Sequence, residues 1–209
     1  MMFVTDDRVT EDRQFLSILE ASLKGGATVI QLREKKLSTR LFYQRALATK
    51  QLCTKYNIPL IINDRVDIAL AIDADGVHIG QKDLPVGVSR ELLGENKIIG
   101  WSVSNEKQAV DANRLSVDYI GLSPIFETAT KKEDLDPALG IKGLLNLKQT
   151  STKPIICIGG INEENAASVM QNGSDGIAVV SAISKAENPE LATTKLKQII
   201  WKTGMNKSE

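Results

Sequence analysis

The sequence is poor in the side chains on which several common enzyme mechanisms depend. It contains a single histidine, His78, and two cysteines, Cys53 and Cys157. A zinc site rich in histidine is therefore excluded, and a Ser-His-Asp or Cys-His arrangement would have to use His78. The cysteines are far apart and Cys157 lies inside an apolar run, so we expect both to be buried thiols of a cytoplasmic protein.

Charge excess, aromatic residues and long hydrophobic runs are also scarce. The 209 residues carry 26 basic and 26 acidic side chains, and only four Phe, two Trp and three Tyr. A balanced charge argues against a surface that tracks nucleic acid, and few aromatics argue against a base-stacking platform. No apolar run approaches the roughly 20 residues of a membrane span, and no secretory signal is evident. We expect one soluble, cytoplasmic domain over residues 1–209, with a frayed tail over about 203–209.

Short apolar runs alternate with amphipathic, helix-like stretches along the whole chain. Eight runs are rich in β-branched residues and almost continuously apolar, as expected for strands buried on both faces. The runs are 2–5, 28–32, 59–62, 76–79, 97–101, 118–122, 154–158 and 176–180. A weak repeat supports the count, since Asp75, Asp118 and Asp175 stand in similar helix–strand connections. The alternation predicts an α/β fold, a single-domain (β/α)8 TIM barrel. An open doubly wound sheet is the alternative, but no Gly-x-Gly-x-x-Gly turn follows the first run.

Polar side chains gather where these runs end, which is where a barrel of this type places its active site. Gln31, Arg33 and Lys35 follow the second run and lie on one face of an extended chain. An amide, a guanidinium and an ammonium on one side favour an anion clamp, although a solvated charge run is the alternative.

Two carboxylates are expected beside this clamp. The third run ends at Asn63-Asp64, and Asp83 follows the fourth run. Mg²⁺ prefers one or two carboxylates together with water and substrate phosphates, so the pair favours a magnesium site. Alternatively, Asp64 caps the short helix that follows it. His78 stands in mid-strand, which is more typical of a hydrogen-bonded core residue than of a catalyst.

The remaining strand ends supply hydroxyls, a cation and backbone N–H groups. Ser102 ends the fifth run, and a long loop over 123–139, typical of a lid or binding loop, follows the sixth. The loop residues suited to anions are Thr128, Thr130 and Lys131. The seventh and eighth runs end at helix starts whose N–H groups suit a phosphate, at Gly160, Val180 and Ser181. The barrel is thus predicted to have two anion sites, of which one is assisted by a metal.

These motifs closely resemble those of the thiamine-phosphate synthase (thiamine-phosphate pyrophosphorylase) family. The matching strings are Val4-Thr5-Asp6, Gln31-Leu-Arg-Glu-Lys35, Ile62-Asn-Asp-Arg-Val-Asp67, Asp75-Gly-Val-His-Ile-Gly-Gln-Lys-Asp-Leu-Pro85, Thr128-Ala-Thr-Lys131, Ile158-Gly-Gly-Ile161 and Val179-Val-Ser-Ala-Ile183. They occur in order over nearly the whole chain. The resemblance implies a transferase that joins 4-amino-2-methyl-5-(diphosphooxymethyl)pyrimidine to a (carboxy)thiazole phosphate, giving thiamine phosphate and pyrophosphate. It also implies a homodimer.

The resemblance assigns roles to the candidate residues. Those expected to hold the pyrimidine diphosphate are Gln31, Arg33, Lys35, Asn63, Ser102 and Lys131. Those expected to hold the thiazole phosphate are Thr128, Thr130, Gly160, Val180 and Ser181. Mg²⁺ is expected on Asp64 and Asp83. The catalytic residues are expected to be Arg33, Lys35, Ser102 and Lys131.

Two positions depart from the family pattern, and two other functions stay open. Ser104 stands where family members commonly have a histidine, and Ser123 replaces a glycine often seen before Pro124. A thiazole tautomerase-like isomerase on the same barrel would depend on the histidine that Ser104 replaces and would lack these intact strings. An inactive phosphate-ligand sensor would leave the two carboxylates and the clamp unexplained.

Overall fold

The computed structural model describes residues 1–128 and 136–205. Eight parallel strands close into a barrel in sequence order, with β8 beside β1. The strands are β1 (Met2–Val4), β2 (Val29–Leu32), β3 (Leu60–Asn63), β4 (Gly76–Ile79), β5 (Ile98–Val103), β6 (Tyr119–Leu122), β7 (Ile155–Cys157) and β8 (Gly176–Val179). The helices are α1 (Asp12–Lys24), α2 (Thr39–Lys55), α3 (Val66–Ala71), α4 (Val86–Leu93), α5 (Glu106–Ala112), α6 (Gly140–Thr150), α7 (Ala166–Gln171), α8 (Ser181–Ser184) and α9 (Pro189–Met205). The predicted (β/α)8 barrel is confirmed, and the doubly wound sheet is excluded.

The face of the barrel wall that packs against the helices is apolar. Ile30, Ile62 and Ile120, from three different strands, are all completely buried. Parallel strands covered by helices need such runs because neither face meets water. Since the apolar runs stop at the carboxyl ends of the strands, the polar residues that follow them collect at one end of the barrel. We call this end, formed by the last residues of β1–β8 and the loops after them, the mouth.

The repeated aspartates lie at the opposite end of the barrel. Asp75 accepts a hydrogen bond from the Leu60 N–H at 2.8 Å and pairs with Lys50 of α2 at 3.1 Å. Asp118 and Asp175 repeat this arrangement, each with a strand N–H and a basic residue of α4 or α6. Each aspartate thus ties a strand start to a helix, so the weak sequence repeat has a structural origin.

The two cysteines are free, buried thiols, as expected. Burial raises the pKa of Cys53 to about 12 and that of Cys157 to about 11. Since a thiolate is the reactive form of cysteine, neither residue is activated as a nucleophile.

The last helix extends through Met205, and residues 206–209 lie outside the described part of the chain. The tail expected over about 203–209 therefore stays a prediction. Among the helices described, none has the length and the apolar composition needed to cross a membrane.

Candidate active site

Two cations stand at the mouth after β2, and each one faces a carboxylate. Arg33 Nη1 lies 2.8 Å from Asp7 Oδ1, and Lys35 Nζ forms an ion pair with Asp64. Thr5 holds the main chain of Arg33, because its Oγ1 accepts the Arg33 N–H at 2.9 Å and donates to the Arg33 carbonyl at 3.2 Å. Partners just after β3 and on the loop after β1 therefore orient these cations, whereas the cations of a freely solvated charge run would lack such partners.

Asp64 and Asp83 meet at the mouth, after β3 and β4. The Asp64 pKa is raised mainly by burial, and a hydrogen bond and repulsion from Asp83 raise it further, whereas Lys35 acts in the opposite direction. Asp83 Oδ2 also accepts the Gly80 N–H at 2.6 Å, which fixes the carboxylate in place. Sequence reasoning correctly expected these two carboxylates to be neighbours.

The main chain at Asp64 adopts an unusual conformation. Its φ of 63° lies in the left-handed region, which residues other than glycine rarely adopt. The Asp64 N–H donates to the His78 carbonyl at 2.8 Å, which anchors this conformation to β4. The helix α3 starts at Val66, and its N-terminal cap is Arg65, which makes no side-chain capping bond. The alternative interpretation of Asp64 as a helix cap is therefore wrong.

The paired carboxylates have the chemistry of a site for a hard divalent cation. Two neighbouring carboxylates repel each other when both are ionised, and a bound cation relieves that repulsion. Within the described residues, no group of three or more His, Cys, Asp or Glu side chains is placed to hold a metal. The protein would supply Asp64 and Asp83 alone, leaving further positions to water and substrate, which is the coordination that Mg²⁺ prefers.

A chain of hydrogen bonds links four strands in the barrel interior. Gln31 bonds to Tyr119, whose Oη lies 2.9 Å from His78 Nδ1, and His78 Nε2 lies 2.9 Å from Ser102 Oγ. Gln81 donates to the Ser102 carbonyl at 2.6 Å. His78 is thus a buried, hydrogen-bonded core residue, as its mid-strand position indicated, and it also contacts a predicted site residue.

We expect His78 to make the folded protein sensitive to mild acid. Burial lowers the His78 pKa from 6.5 to about 4, so between these values the unfolded chain binds more protons than the folded one. Stability is therefore lost as the pH falls from 6.5 and the loss levels off near 4. At 1.36 kcal/mol per pKa unit, the free energy of unfolding should fall by about 3 kcal/mol.

Urea unfolding of the wild type and of His78→Asn, at about pH 7 and about pH 4.5, measures this effect. Other titrating groups are common to both proteins, so the difference in pH dependence isolates His78. A variant whose stability falls as steeply as that of the wild type would contradict the prediction.

The positions around β3 and β5 complete this side of the mouth. Asn63 is buried at the end of β3, in register with His78. Ser104 bonds through its N–H and its hydroxyl to Gln108 Oε1, at 2.8 and 3.2 Å. In this chain, the position therefore serves a contact between the end of β5 and α5.

The second predicted anion site lies at the ends of β7 and β8. Gly160 has a φ of 64°, and a Cβ there would lie 2.6 Å from the Glu127 carbonyl oxygen. Both the backbone conformation and the close approach of Glu127 therefore favour glycine at this position. Val180 immediately precedes α8, whose first residue is Ser181. Asp6, from the loop after β1, accepts a hydrogen bond from Ser184 of α8 at 2.8 Å. The candidate phosphate ligands after β7 and β8 are therefore fixed by neighbouring loops.

The long loop over 123–139 starts with a cis peptide bond between Ser123 and Pro124. It runs beside the end of β7, where the Phe126 N–H donates to the Gly159 carbonyl at 3.0 Å. Thr128 is half-buried at the edge of the described part. Thr130 and Lys131 lie outside the described residues, so their roles, and the closing of the loop as a lid, stay predictions.

The sequence did not predict roles for three residues at the mouth or in the barrel interior next to it. Thr5 and Asp7 hold Arg33, and Tyr119 links Gln31 to His78. Thr5 and Asp7 follow β1, so the rule that drew attention to the other strand ends could have found them. Tyr119 begins β6 and carried no such signal.

The fold and the mouth define a (β/α)8-barrel enzyme that places two cations, two neighbouring carboxylates and two strand ends predicted to bind phosphate around one opening. The sequence model of the family described as thiamine monophosphate synthase matches residues 1–183. The chain belongs to this family, which confirms the resemblance seen in its motifs.

Individual relatives agree with this assignment. The thiamine-phosphate synthase of Clostridium novyi is 47% identical over 199 residues, covering 95% of this chain and 97% of the relative. That of Methanobrevibacter smithii is also 47% identical, covering 93% and 92%. The structure of thiamine phosphate pyrophosphorylase from Pyrococcus furiosus matches with a TM-score of 0.87 at 37% identity, over 97% of this chain and 95% of that one. Orotidine 5'-phosphate decarboxylase from Pyrococcus horikoshii, at a TM-score of 0.70 and 17% identity, shares the fold alone.

Proposed function

We propose that this protein condenses 4-amino-2-methyl-5-(diphosphooxymethyl)pyrimidine with a thiazole phosphate, releasing thiamine phosphate and pyrophosphate with the help of Mg²⁺. The observation that carries the proposal is the meeting of Lys35 with Asp64 and Asp83 at the mouth, where Arg33, held by Asp7, stands two residues before Lys35. A diphosphate leaving group needs cations around its oxygens, and a magnesium diphosphate needs carboxylates for the metal.

The two cations at the mouth are held by carboxylates in positions that suit a highly charged ligand. Arg33 suits a bidentate contact with phosphate oxygens, while Asp7 holds the guanidinium in place before the ligand arrives. Lys35 is paired with Asp64. If Asp64 held Mg²⁺, the Lys35 ammonium group would be available to the diphosphate. When bound, Mg²⁺ supplies positive charge that stabilises the departing pyrophosphate. Lys131 would add a third cation from the long loop.

The reaction needs no nucleophile from the protein. The bond between the pyrimidine methylene carbon and the diphosphate oxygen breaks, and its electron pair leaves with the pyrophosphate. The aminopyrimidine ring stabilises the electron-poor carbon, and the thiazole nitrogen supplies the electron pair of the new C–N bond. The protein therefore has to orient two substrates and exclude water, which would trap the cation. A neutral, buried His78 and two unreactive thiols fit such a reaction.

The two substrates would occupy different parts of the mouth. Gln31, Asn63 and Ser102 would hold the pyrimidine diphosphate together with the cations. The thiazole phosphate would bind at the ends of β7 and β8 and on the long loop, through Thr128, Thr130, Gly160, Val180 and Ser181. This division places the thiazole nitrogen and the methylene carbon within one opening, as an attack between them requires.

The test is the formation of thiamine phosphate from the two purified substrates, with and without Mg²⁺. We expect product and pyrophosphate in equal amounts, and none when the metal is chelated or either substrate is omitted. Conversion of the thiazole substrate alone would support the isomerase, and binding without product would support the sensor. Either result would overturn the proposal. The action of residues 1–209 as one catalytic domain, the cytoplasmic location and the homodimer stay predictions.

A further inference from the structure

We infer that Glu34 and Arg45 form a positioning pair that presents Arg33 and Lys35 to the diphosphate. Neither residue of the pair is expected to touch a substrate. The inference rests on the proposed function, which assigns Arg33 and Lys35 to diphosphate binding.

The segment that carries the two cations has few anchors of its own. The strand β2 ends at Leu32, before both of them. In the described part of the chain, residues 34–37 make no backbone-to-backbone hydrogen bond outside the helices and strands. Side chains must therefore determine the path of this segment across the mouth.

Glu34 supplies that anchor. Its side chain is 2% exposed, and its Oε1 accepts the N–H groups of Lys35 and Lys36, at 3.0 and 3.1 Å. Its Oε2 lies 2.8 Å from Arg45 Nη1. Glu34 is buried against Arg45, whereas Arg33 and Lys35 on either side of it face Asp7 and Asp64 at the mouth. The buried carboxylate thus sets both the main-chain path and the direction of the two cations.

Arg45 joins this segment to two helices. It belongs to α2, is 4% exposed, and its Nε lies 2.9 Å from Oδ1 of Asp12, the first residue of α1. Its two Nη atoms also donate to the carbonyls of Val9 and Thr10, at 3.4 and 3.0 Å. The guanidinium lies 4.7 Å from the centre of the Phe15 ring. The guanidinium is thus held on every side, so it is a fixed support for Glu34.

A buried ion pair at this place is more than a stabilising contact. Buried pairs are expensive to desolvate, and apolar residues of similar volume often stabilise a fold as well or better. An apolar pair here would fill the same space, but it would leave the Lys35 and Lys36 N–H groups without an acceptor. The pair is therefore explained by the geometry that it imposes on the segment between the two cations.

The chain offers a matched control at the opposite end of the barrel. Arg90 of α4 is also buried, and its Nη2 lies 2.9 Å from Asp118 Oδ2. Like Arg45, it also donates to main-chain carbonyls, here those of Lys97 and Ser116. The Asp118 side chain is 51% exposed, unlike that of Glu34. The control is nevertheless an arginine–carboxylate pair remote from the mouth, so it reports the structural cost of losing a buried arginine and its carboxylate partner.

The experiment compares Glu34→Gln, the double variant Glu34→Leu/Arg45→Leu and the control Arg90→Leu/Asp118→Leu with the wild type. We measure the KM for each substrate and the calorimetric Kd of pyrophosphate with Mg²⁺. Both Glu34 variants should raise the pyrimidine diphosphate KM and the pyrophosphate Kd by about tenfold or more, because small displacements of positioned groups cost large factors. The thiazole phosphate KM should stay within about twofold. The control should lower the melting temperature without this selective effect.

The same series contains the results that would overturn the inference. Glu34 variants with the wild-type pyrophosphate Kd, or with an equal rise in both KM values, would show that the pair is only structural. Since the Leu/Leu variant keeps an apolar core, it tests the inference even where Glu34→Gln fails to fold.

The variant Arg33→Ala distinguishes a failure of the proposed diphosphate site from a failure of the positioning pair. If Arg33→Ala leaves the pyrophosphate Kd unchanged, the proposed site is wrong as well. If Arg33→Ala weakens pyrophosphate binding but the Glu34 variants do not, only the positioning pair is contradicted.

Discussion

Replacing Asp64 or Asp83 by asparagine is expected to lower turnover by about a hundredfold or more, a cost typical of losing one preorganised electrostatic contact to a developing charge. Each change keeps the shape of the side chain and removes one of the two carboxylates that meet at the mouth. In the proposed mechanism, the leaving pyrophosphate would then lose the Mg²⁺ that neutralises it. The measurement is kcat at saturating substrates over a range of Mg²⁺ concentrations, where the half-saturating concentration should also rise.

The loss of activity should come without a loss of stability. Burial and the neighbouring Asp83 raise the Asp64 pKa, so an ionised Asp64 is unfavourable in the folded protein and a neutral isostere relieves that cost. The control is Asp67→Asn, close in sequence but in an exposed ion pair with Arg65, and it should change turnover by less than about twofold. Wild-type turnover in Asp64→Asn and in Asp83→Asn would remove the metal from the proposed mechanism.

The barrel was predictable because a strand buried on both faces leaves a strong local signal. The run at 59–62 is apolar throughout and ends at Asn63-Asp64, and the strand observed there is Leu60–Asn63. The polar residues after each run then had to share one end of the barrel, since all strands of such a fold are parallel. Candidate residues from several strand ends could therefore be assembled into one site without any knowledge of distances.

The partners of the site residues could not be predicted in the same way. Arg33 faces Asp7, which follows a different strand, and Lys35 faces Asp64 rather than a residue of its own loop. Such pairings depend on how far each strand extends and on its register with its neighbours. Local patterns therefore identify which charges stand at the mouth, but the closed barrel decides which carboxylate meets which cation.

The two interpretations of Asp64 show the same limit. A carboxylate two residues before a helix is a common cap, and the sequence favoured a metal ligand only because a second carboxylate was expected beside it. The main chain decides between the two roles. Asp64 itself has a left-handed conformation, its N–H donates to the His78 carbonyl, and its side chain meets Asp83. A non-glycine residue in that conformation carries a backbone cost that a neighbouring strand offsets, and it is typical of functional sites.

Gly100→Ala is expected to destabilise the protein by about 1–3 kcal/mol, the usual range for overpacking a filled interior. Gly100 lies on β5 in register with His78 on one side and Tyr119 on the other. A Cβ there would lie 2.1 Å from Tyr119 Cζ and 2.5 Å from His78 Nδ1, so the two rings would have to move. Urea unfolding should show the loss, and displacement of His78 from Ser102 should lower turnover as well.

Two further variants separate this collision from a general effect of replacing glycine. Gly87 lies in α4 with nothing within 4 Å of its Cβ position, so Gly87→Ala should stabilise the protein by about 0.5–1 kcal/mol. Tyr119→Leu removes the ring atoms nearest to the new Cβ, so Gly100→Ala should cost much less in that background than in the wild type. If Gly100→Ala were neutral, or equally costly in both backgrounds, the close approach of these three residues would not limit the stability of the barrel.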